Sequence, residues 1–365
     1  MKTALFFRSA LVASVVGLPL STSAAPLDAL LTANQPRIPG QVRVEAAADL
    51  VNDTVDVFNV RGSSGLGGSD IGNYRGSHLR GGLALTPDIW IDGAIWRRTL
   101  EYRADQARIN TWQAAAQYRV LDGATYGGPS VAMRLGAWGN YADQLSKTSI
   151  STVQGVTLNT LKVENPKDIQ YQLDTIATWQ RNPGTEVSLF AGGGISRVRV
   201  GSISATGTRG GCNYNLSFGA NSVSGTLAQF CNASTVADRF TLPYSDYGVD
   251  PYQEVEYRAK FIQAGLSAMW TSGDWQLRGG YQYIRTRRDD VDAIIRQRGG
   301  QAQEANHVLV GEVMYRVVKN VSLFARGQYM QHQFTGEIPF AYNTMTAQRF
   351  NQKYGIVSAG LVVEF

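Results

Sequence analysis

The chain has 365 residues, a formal net charge of +5 and 17% charged residues, a mild positive excess that does not indicate a nucleic-acid partner. After the N-terminal segment, no run approaches the roughly 18–20 consecutive apolar residues that a membrane-spanning helix needs. Inside lipid, only helices and closed barrels satisfy every backbone polar group. A membrane location of this chain would therefore require a barrel of strands.

Residues 1–24 have the pattern of a secretory signal peptide. Lys2 and Arg8 flank the start of an apolar run over 10–20, and the small residues at 21–25 supply a cleavage site at Thr22-x-Ala24. Removal of the two positive charges would lower the formal net charge from +5 to +3. The pattern predicts export of the mature chain.

Residues 25–40 precede the first alternating segment and contain Pro36 and Pro39, which prevent a long helix. Two interpretations of this segment remain open. It is either a periplasmic N-terminal tail or a small plug that folds into the interior of the domain formed by residues 41–365.

From residue 42 onwards, apolar and polar residues alternate with a period of two, which is typical of strands with one apolar face. We count twelve such segments, an even number. They begin near Val42, Leu79, Ile89, Trp112, Val131, Ile169, Val187, Tyr252, Trp275, Leu309, Val321 and Val357. The alternation changes phase at 192–194, where three glycines predict a bulge.

The connections between these segments alternate in length, which is typical of a transmembrane barrel with short turns at one end and long loops at the other. Five of the six connections after the odd-numbered segments are long: 51–74, 142–166, 201–251, 288–304 and 335–352. Only the connection near 102–107 is short. The sequence therefore predicts an antiparallel up-and-down β-barrel of twelve strands.

The last segment carries the most specific pattern. Val357, Ala359, Leu361 and Val363 alternate with other residues up to a terminal Phe365. This ending resembles the closing strand of bacterial outer-membrane β-barrel proteins, the porin-like superfamily. The resemblance implies the outer membrane of a Gram-negative bacterium, contact with membrane lipid and lipopolysaccharide, and recognition of Phe365 by the barrel-insertion machinery. It also implies periplasmic N- and C-termini, with the long loops outside the cell.

Aromatic residues lie near the ends of the apolar faces, where interfacial girdles are expected. The opposite, polar faces would line the lumen. They carry the candidate pore-lining residues Arg43, Glu45, Arg80, Asp92, Arg98, Arg119, Arg134, Asp174, Arg278, Glu312, Arg316 and Arg326. The chain has 27 Arg and 7 Lys, so planar donor groups for small anions dominate.

These arginines allow two interpretations. They could form a basic track that attracts small, anionic solutes through a narrow pore. Alternatively, arginine–carboxylate pairs could cross-link a narrow lumen and leave little open water. Twelve strands indicate a lumen between that of a filled eight-stranded barrel and that of a sixteen-stranded porin.

Cys212 and Cys231 lie in the longest connection. Because an exported chain meets an oxidising compartment, we expect them to form a disulfide. With only three histidines and none near these cysteines, the sequence indicates neither a metal site nor a cofactor.

Signals for catalysis are weak. The chain has no G-x-S-x-G motif. Asn52, Asp53 and His78 are similar to the site region of lipid A deacylases, a resemblance that would imply a lipid- or lipopolysaccharide-modifying enzyme. We expect no enzyme and no catalytic residues. The leading hypothesis is a channel for small, anionic solutes, and the alternative is a closed-lumen surface protein that binds a partner through its loops.

Overall fold

The computed structural model describes residues 28–51, 74–102, 105–153, 156–229, 231, 237–244, 250–332, 336–344, 346–347, 351 and 353–365. The predicted signal peptide lies outside these residues. Within them, no helix is long and apolar enough to cross a membrane.

The described chain is built almost entirely from strands, which we number in chain order. They are β1 (Val42–Val51), β2 (Tyr74–Ala84), β3 (Ile89–Tyr102), β4 (Asp105–Leu121), β5 (Ser130–Tyr141), β6 (Gln144–Val153), β7 (Val156–Glu164), β8 (Lys167–Asn182), β9 (Thr185–Arg199), β10 (Ser202–Arg209), β11 (Cys212–Phe218), β12 (Ser222–Leu227), β13 (Arg239–Pro243), β14 (Tyr257–Ser272), β15 (Trp275–Arg288), β16 (Ala305–Val318), β17 (Val321–Met330) and β18 (Tyr354–Glu364). Three short helices, Gly123–Tyr126, Pro251–Val255 and Val291–Gln297, and the 3-10 turn Pro339–Ala341 lie in connections.

Twelve of these strands form a closed antiparallel barrel in the order β1-β2-β3-β4-β5-β8-β9-β14-β15-β16-β17-β18, and β18 pairs back onto β1. The predicted architecture and strand number are confirmed. The short connections, such as 183–184 and 273–274, lie at one end of the barrel, and long ones lie at the other. We call these the turn end and the loop end.

The remaining six strands form a second sheet at the loop end, in the order β13-β12-β11-β10-β7-β6. It is built from the connections 142–166 and 200–256, where the sequence predicted loops at 142–166 and 201–251. Cys212 and Cys231 are joined by the predicted disulfide, with a Cα–Cα distance of 5.7 Å. The two connections thus pair with each other through β7 and β10 and form one ordered structure.

The predicted bulge at 192–194 is wrong, because β9 pairs continuously with both β8 and β14 through this stretch. The glycines have a different role. A Cβ atom on Gly192 would clash with the Asp174 carboxylate, and one on Gly194 would clash with the Phe261 ring. The outward-facing residues Leu189, Ala191 and Ile195 have the same parity on both sides of the glycines, so the alternation does not change phase here.

The strand predicted to begin near Tyr252 begins later. Residues 251–255 form a short helix that Asp250 caps through hydrogen bonds to the Tyr252 and Gln253 backbone amides. Strand β14 then starts at Tyr257. The capped turn provides the last part of the second sheet's connection back to the barrel wall.

Candidate functional site: the barrel lumen

All twelve predicted pore-lining residues occupy the inward-facing positions of their strands. Eleven are buried, and Arg316 is half-buried at the turn end. Alternation explains this placement, since every second side chain of a barrel strand faces the interior. The structure also shows how these side chains are arranged relative to one another.

One group of ion pairs crosses four strands of the lumen. Arg326 on β17 contacts Glu45 on β1, with 3.2 Å between Nη2 and Oε1, and contacts Glu312 on β16, with 2.5 Å between Nη2 and Oε2. Arg278 on β15 contacts the other oxygen of Glu312 at 3.3 Å. These charge-assisted contacts link β1, β15, β16 and β17.

A second group is centred on Asp92. Arg134 on β5 donates two hydrogen bonds to the Asp92 carboxylate, at 2.6 and 2.8 Å, in a fork-like arrangement. Arg80 on β2 donates a third, at 3.2 Å. The lumen arginines are thus bound largely to carboxylates of neighbouring strands, which is the cross-linked arrangement that the sequence left open.

His78 lies on the loop-end side of the first group and contacts it through Glu45. Its Nδ1 is 2.8 Å from Asp49 Oδ2, and its Nε2 is 3.1 Å from Glu45 Oε1. The Ser358 hydroxyl donates to Asp49 and not to His78. The cluster therefore lacks the contact between nucleophile and base that covalent catalysis requires. Asn52 and Asp53 lie outside the described residues.

Residues 28–36, which we call the inner segment, lie buried inside the barrel. Hydrogen bonds attach the segment to five strands of the wall: Arg278 Nη2 to Leu30 O (2.8 Å), Ser267 Oγ to Leu31 O (2.7 Å), Gln117 Nε2 to Thr32 O (2.9 Å), Ala33 N to Thr178 Oγ1 (2.8 Å) and Asn34 Nδ2 to Glu186 Oε1 (3.0 Å). Leu31 and Ala33 also pack against Ala132, Ile176 and Phe190. The segment thus fills the lumen on the side of the turn end.

Gly280 on β15 makes room for the inner segment. A Cβ atom at this position would clash with the backbone carbonyl of Ala29. By contrast, nothing lies within 4 Å of the position that a Cβ atom of the outward-facing Gly311 would take. The close approach of the Ala29 backbone therefore requires glycine at position 280, whereas position 311 has no such requirement.

The connection between β17 and β18 fills the lumen at the loop end, and we call its described residues 336–344 and 346–347 the outer plug. Glu337 contacts the buried Arg98 at 2.9 Å, and Asn140 Nδ2 donates to the Glu337 carbonyl. Tyr257 donates to the Pro339 carbonyl at 2.6 Å. These contacts come from strands on several sides of the mouth, so the plug lies across it.

Several buried polar atoms of the lumen wall have no hydrogen-bond partner among the described residues. Examples are the side-chain oxygens of Gln172, Gln276 and Gln282, the Ser196 hydroxyl and Arg80 Nη1. Buried polar groups of this kind are normally hydrogen-bonded to protein or to ordered water. A cavity of about 10 Å³ between the outer plug and the wall, next to Trp138, Tyr257 and Pro339, has room for roughly one water molecule.

Prediction from the sequence gave a plug formed by residues 25–40 as one of two interpretations, but it missed the outer plug. It also missed two side chains that hold the outer plug. Asp168 accepts a hydrogen bond from the Phe340 amide, and the Arg288 guanidinium lies 3.7 Å from the centre of the Tyr342 ring. The inward position of both residues follows from the strand alternation, but their contacts depend on a connection that has no periodic pattern.

The outer surface of the barrel is apolar. Large side chains such as Leu79, Ile95, Leu135, Ile195 and Leu309 are between 49% and 61% exposed. The predicted girdle residues are exposed as well: Trp112, Tyr118, Tyr141, Tyr171, Trp179, Trp270, Trp275 and Tyr315. A continuous apolar surface around a polar, charged interior is the reverse of a water-soluble domain and fits a lipid environment. The protein has the architecture and the surface of a membrane-spanning β-barrel.

No protein-family model matches this barrel, and no curated protein is similar to it in sequence. Among solved structures, it is similar to the translocator domain of the autotransporter NalP from Neisseria meningitidis (TM-score 0.48, 12% identity, 89% of this chain and 88% of that chain). It is also similar to the NanC porin (TM-score 0.41, 8% identity, 88% of this chain and 98% of that chain). A third similar structure is the outer membrane protease OmpT from Escherichia coli (TM-score 0.29, 12% identity, 91% of this chain and 99% of that chain). At these TM-scores the likenesses carry no argument about activity, which has to be argued from the lumen.

Proposed function

We propose that the protein is a narrow, gated channel of the outer membrane for small polar solutes and that the inner segment closes it in the conformation described. The observation that carries this proposal is that the inner segment lies against a polar wall and is held mainly by hydrogen bonds. The inner segment fills the lumen at the turn end, and the wall behind it is polar and carries buried atoms without a hydrogen-bond partner among the described residues.

The closure is reversible on physical grounds. Its contacts are mostly hydrogen bonds between polar groups, which water can replace at a small net cost for each bond. The inner segment enters from the turn end and joins β1 through exposed residues 38–40, so it can move without any break in the barrel ladder. The wall ion pairs do not involve the segment, and they would remain in an open state.

The preference for anions stays a prediction, as does the outward orientation of the loop end. Arg326, Arg278 and Arg134 each have a carboxylate partner, which weakens the field of a basic track. Withdrawal of the inner segment would remove the Asp28 carboxylate and free the Arg278 donor that holds Leu30. The reversal potential of the open channel under a salt gradient checks the sign of its selectivity.

The experiment compares two glycine substitutions in planar bilayers, both made in a refolded mature chain that lacks residues 336–347, because the outer plug would otherwise keep the loop end closed. Gly280→Val places a side chain where the Ala29 carbonyl lies, so it should displace the inner segment and increase the frequency of conducting steps at least about tenfold. Gly311→Ala, on the outer face of the neighbouring strand, should behave as the parent. A folded Gly280→Val protein that stays as silent as the parent would contradict the channel proposal.

A second candidate function is supported by the ordered sheet at the loop end. Six paired strands and a disulfide form a defined surface, which a passive loop would not require. Under this alternative the filled barrel is a scaffold, and the surface binds a partner. It predicts no conductance for any lumen variant, together with loss of partner binding after deletion of residues 202–243.

A further inference from the structure

Seven basic side chains form one cluster on the outside of the barrel at the loop end. They lie on four adjacent strands, β8, β9, β14 and β15, and all are exposed. We call this cluster the basic rim patch, and its members are Lys167, Arg197, Arg199, Arg258, Lys260, Arg285 and Arg287. Unlike the lumen arginines, these residues face away from the interior.

The strand register places like charges directly opposite one another in this patch. Lys167 is paired with Arg199, Arg197 with Arg258, and Lys260 with Arg287. Like charges at directly opposed positions of an antiparallel pair destabilise it. Three such pairs in succession are unfavourable unless another group supplies negative charge.

Carboxylates of the protein do not supply that charge. Among the described residues, only Arg285 of the patch has an ion-pair contact, at 3.7 Å from Glu304. Glu256 interacts with Arg197 electrostatically but makes no ion-pair contact with it, and its carboxylate accepts a hydrogen bond from the Val200 amide. The charge pattern therefore points to an anion from outside the chain.

The position of the patch along the barrel axis indicates where this anion would bind. On each strand the basic residues come directly after the last outward-facing apolar or aromatic residue: Ile169 before Lys167, Ile195 before Arg197, Ile262 before Lys260 and Tyr283 before Arg285. The patch therefore borders the apolar surface, at the level where lipid headgroups begin. A soluble anion would not need this position, whereas a lipid headgroup is held there by its own acyl chains.

We propose that the basic rim patch is a binding site for the phosphate groups of a lipid in the leaflet around the loop end. With the loop end facing outwards, as the sequence predicts, this lipid is a phosphorylated glycolipid of the lipopolysaccharide class. Guanidinium groups donate paired hydrogen bonds to phosphate oxygens, and a lipid with two phosphates can neutralise more than one of the like-charge pairs. Its acyl chains would cover Ile195 and Ile262 below the patch.

The test uses the refolded mature chain in neutral detergent, with bis-phosphorylated lipid A as the probe and native mass spectrometry as the readout of affinity. The patch variant is Arg258→Gln with Lys260→Gln, in the centre of the cluster. The control variant, Arg181→Gln with Lys319→Gln, removes the same two charge types from exposed positions at the turn end. Dephosphorylated lipid A and inorganic phosphate are titrated in parallel.

We expect the patch variant to bind lipid A on the order of tenfold more weakly than the parent, as loss of two basic residues near a charged headgroup predicts. The control variant should bind as the parent does, and dephosphorylated lipid A should bind parent and patch variant equally weakly. The patch variant should also unfold no earlier than the parent in lipid-free detergent, because it removes members of two like-charge pairs.

Three results would overturn the proposal. The first is equal lipid A affinity of the patch and control variants. The second is equal affinity of the parent for phosphorylated and dephosphorylated lipid. The third is competition by inorganic phosphate at the concentrations at which lipid A binds, which would show a free-anion site. If the double variant fails to fold, Arg287→Gln alone supplies the same comparison with a smaller expected loss.

Discussion

Arginines of this barrel lie in two contrasting environments, the lumen and the basic rim patch. In the lumen, Arg134 and Arg326 are buried; Arg134 is bound to the Asp92 carboxylate, and Arg326 is bound to the carboxylates of Glu45 and Glu312. In the patch, Arg197 and Arg258 are exposed and face each other without an intervening carboxylate. One residue type thus has two roles, and strand parity separates them. Inward arginines connect the strands of the wall through carboxylates, and we propose that the outward arginines bind an anion from outside the chain.

The largest expected effect comes from a buried lumen arginine. Arg326→Met leaves the Glu45 and Glu312 carboxylates buried without their shared cation, so the free energy of unfolding should fall by about 3–5 kcal/mol. The matched substitution Arg287→Met in the patch should change it by no more than about 0.5 kcal/mol. Urea unfolding of both variants in lipid vesicles measures the difference. An equal fall in the free energy of unfolding for both variants would show that lumen and patch arginines do not differ in their contribution to stability.

The second prediction separates a network from a set of independent pairs. Glu312→Gln added to the Arg326→Met background should cost much less than Glu312→Gln in the parent, because the cation next to Glu312 has already been removed. The coupling free energy should be about 1–3 kcal/mol. Additive losses in this double-mutant cycle would contradict a shared charge group in the lumen.

The disulfide provides an effect of similar size that is confined to the second sheet. Cys212→Ser with Cys231→Ser opens a loop with a sequence separation of 19 residues, which should lower the local stability of that sheet by about 3 kcal/mol. The unfolding midpoint of the barrel should not change, since neither cysteine belongs to a barrel strand. Limited proteolysis, followed site by site, compares cleavage within 202–243 with cleavage elsewhere in the chain. Faster cleavage throughout the barrel would show that the two sheets are not independent.

The smallest expected effect concerns an ion pair whose exposure is intermediate between that of the lumen arginines and that of the patch arginines. Arg37 donates two hydrogen bonds to Asp122 at the turn end, at 3.0 and 2.9 Å. Partial burial opposes charge on Asp122, but the contact with Arg37 outweighs it and holds the pKa of this carboxyl below its usual value. The pair therefore stabilises the folded state above the pKa that Asp122 has in the unfolded chain. That contribution is lost as the pH falls through the lower, folded-state pKa.

Because Arg37 and Asp122 are both partly exposed, Asp122→Asn should cost at most about 1 kcal/mol at neutral pH. The difference in unfolding free energy between parent and variant should shrink towards zero below the folded-state pKa of Asp122. A series of urea titrations at falling pH measures it. A difference that stays constant, or grows, in acid would show that this pair does not fasten the inner segment to the turn end.

The strands and the lumen-facing set could be predicted because both follow from local alternation. Val357 to Phe365 defines a strand without reference to any partner, and the parity of Arg134 or Glu312 follows from its own segment. The pairing of Cys212 with Cys231 needed only the export signal and the absence of competing cysteines. These features depend on short stretches of sequence, which is why the prediction and the structure agree.

The lumen filling could not be predicted in this way. Leu31 meets Ser267 across 236 residues, and Asn140 meets the Glu337 carbonyl across 197. Neither inner segment nor outer plug has a periodic pattern, and the contacts are single hydrogen bonds that any polar loop could make. The second sheet was missed for a related reason, because its strands are short and come from two separate connections.

The central claim, that the inner segment closes the turn end of a polar channel, is tested most directly by planar-bilayer conductance with and without residues 28–36, in a mature chain that lacks the outer-plug residues 336–347. The account predicts that the chain with residues 28–36 is nearly silent and that their deletion gives stable conducting steps of small size. The deletion variant should retain the unfolding transition of a closed barrel. Silence of a correctly folded deletion variant across a wide voltage range would contradict the claim and favour the scaffold function.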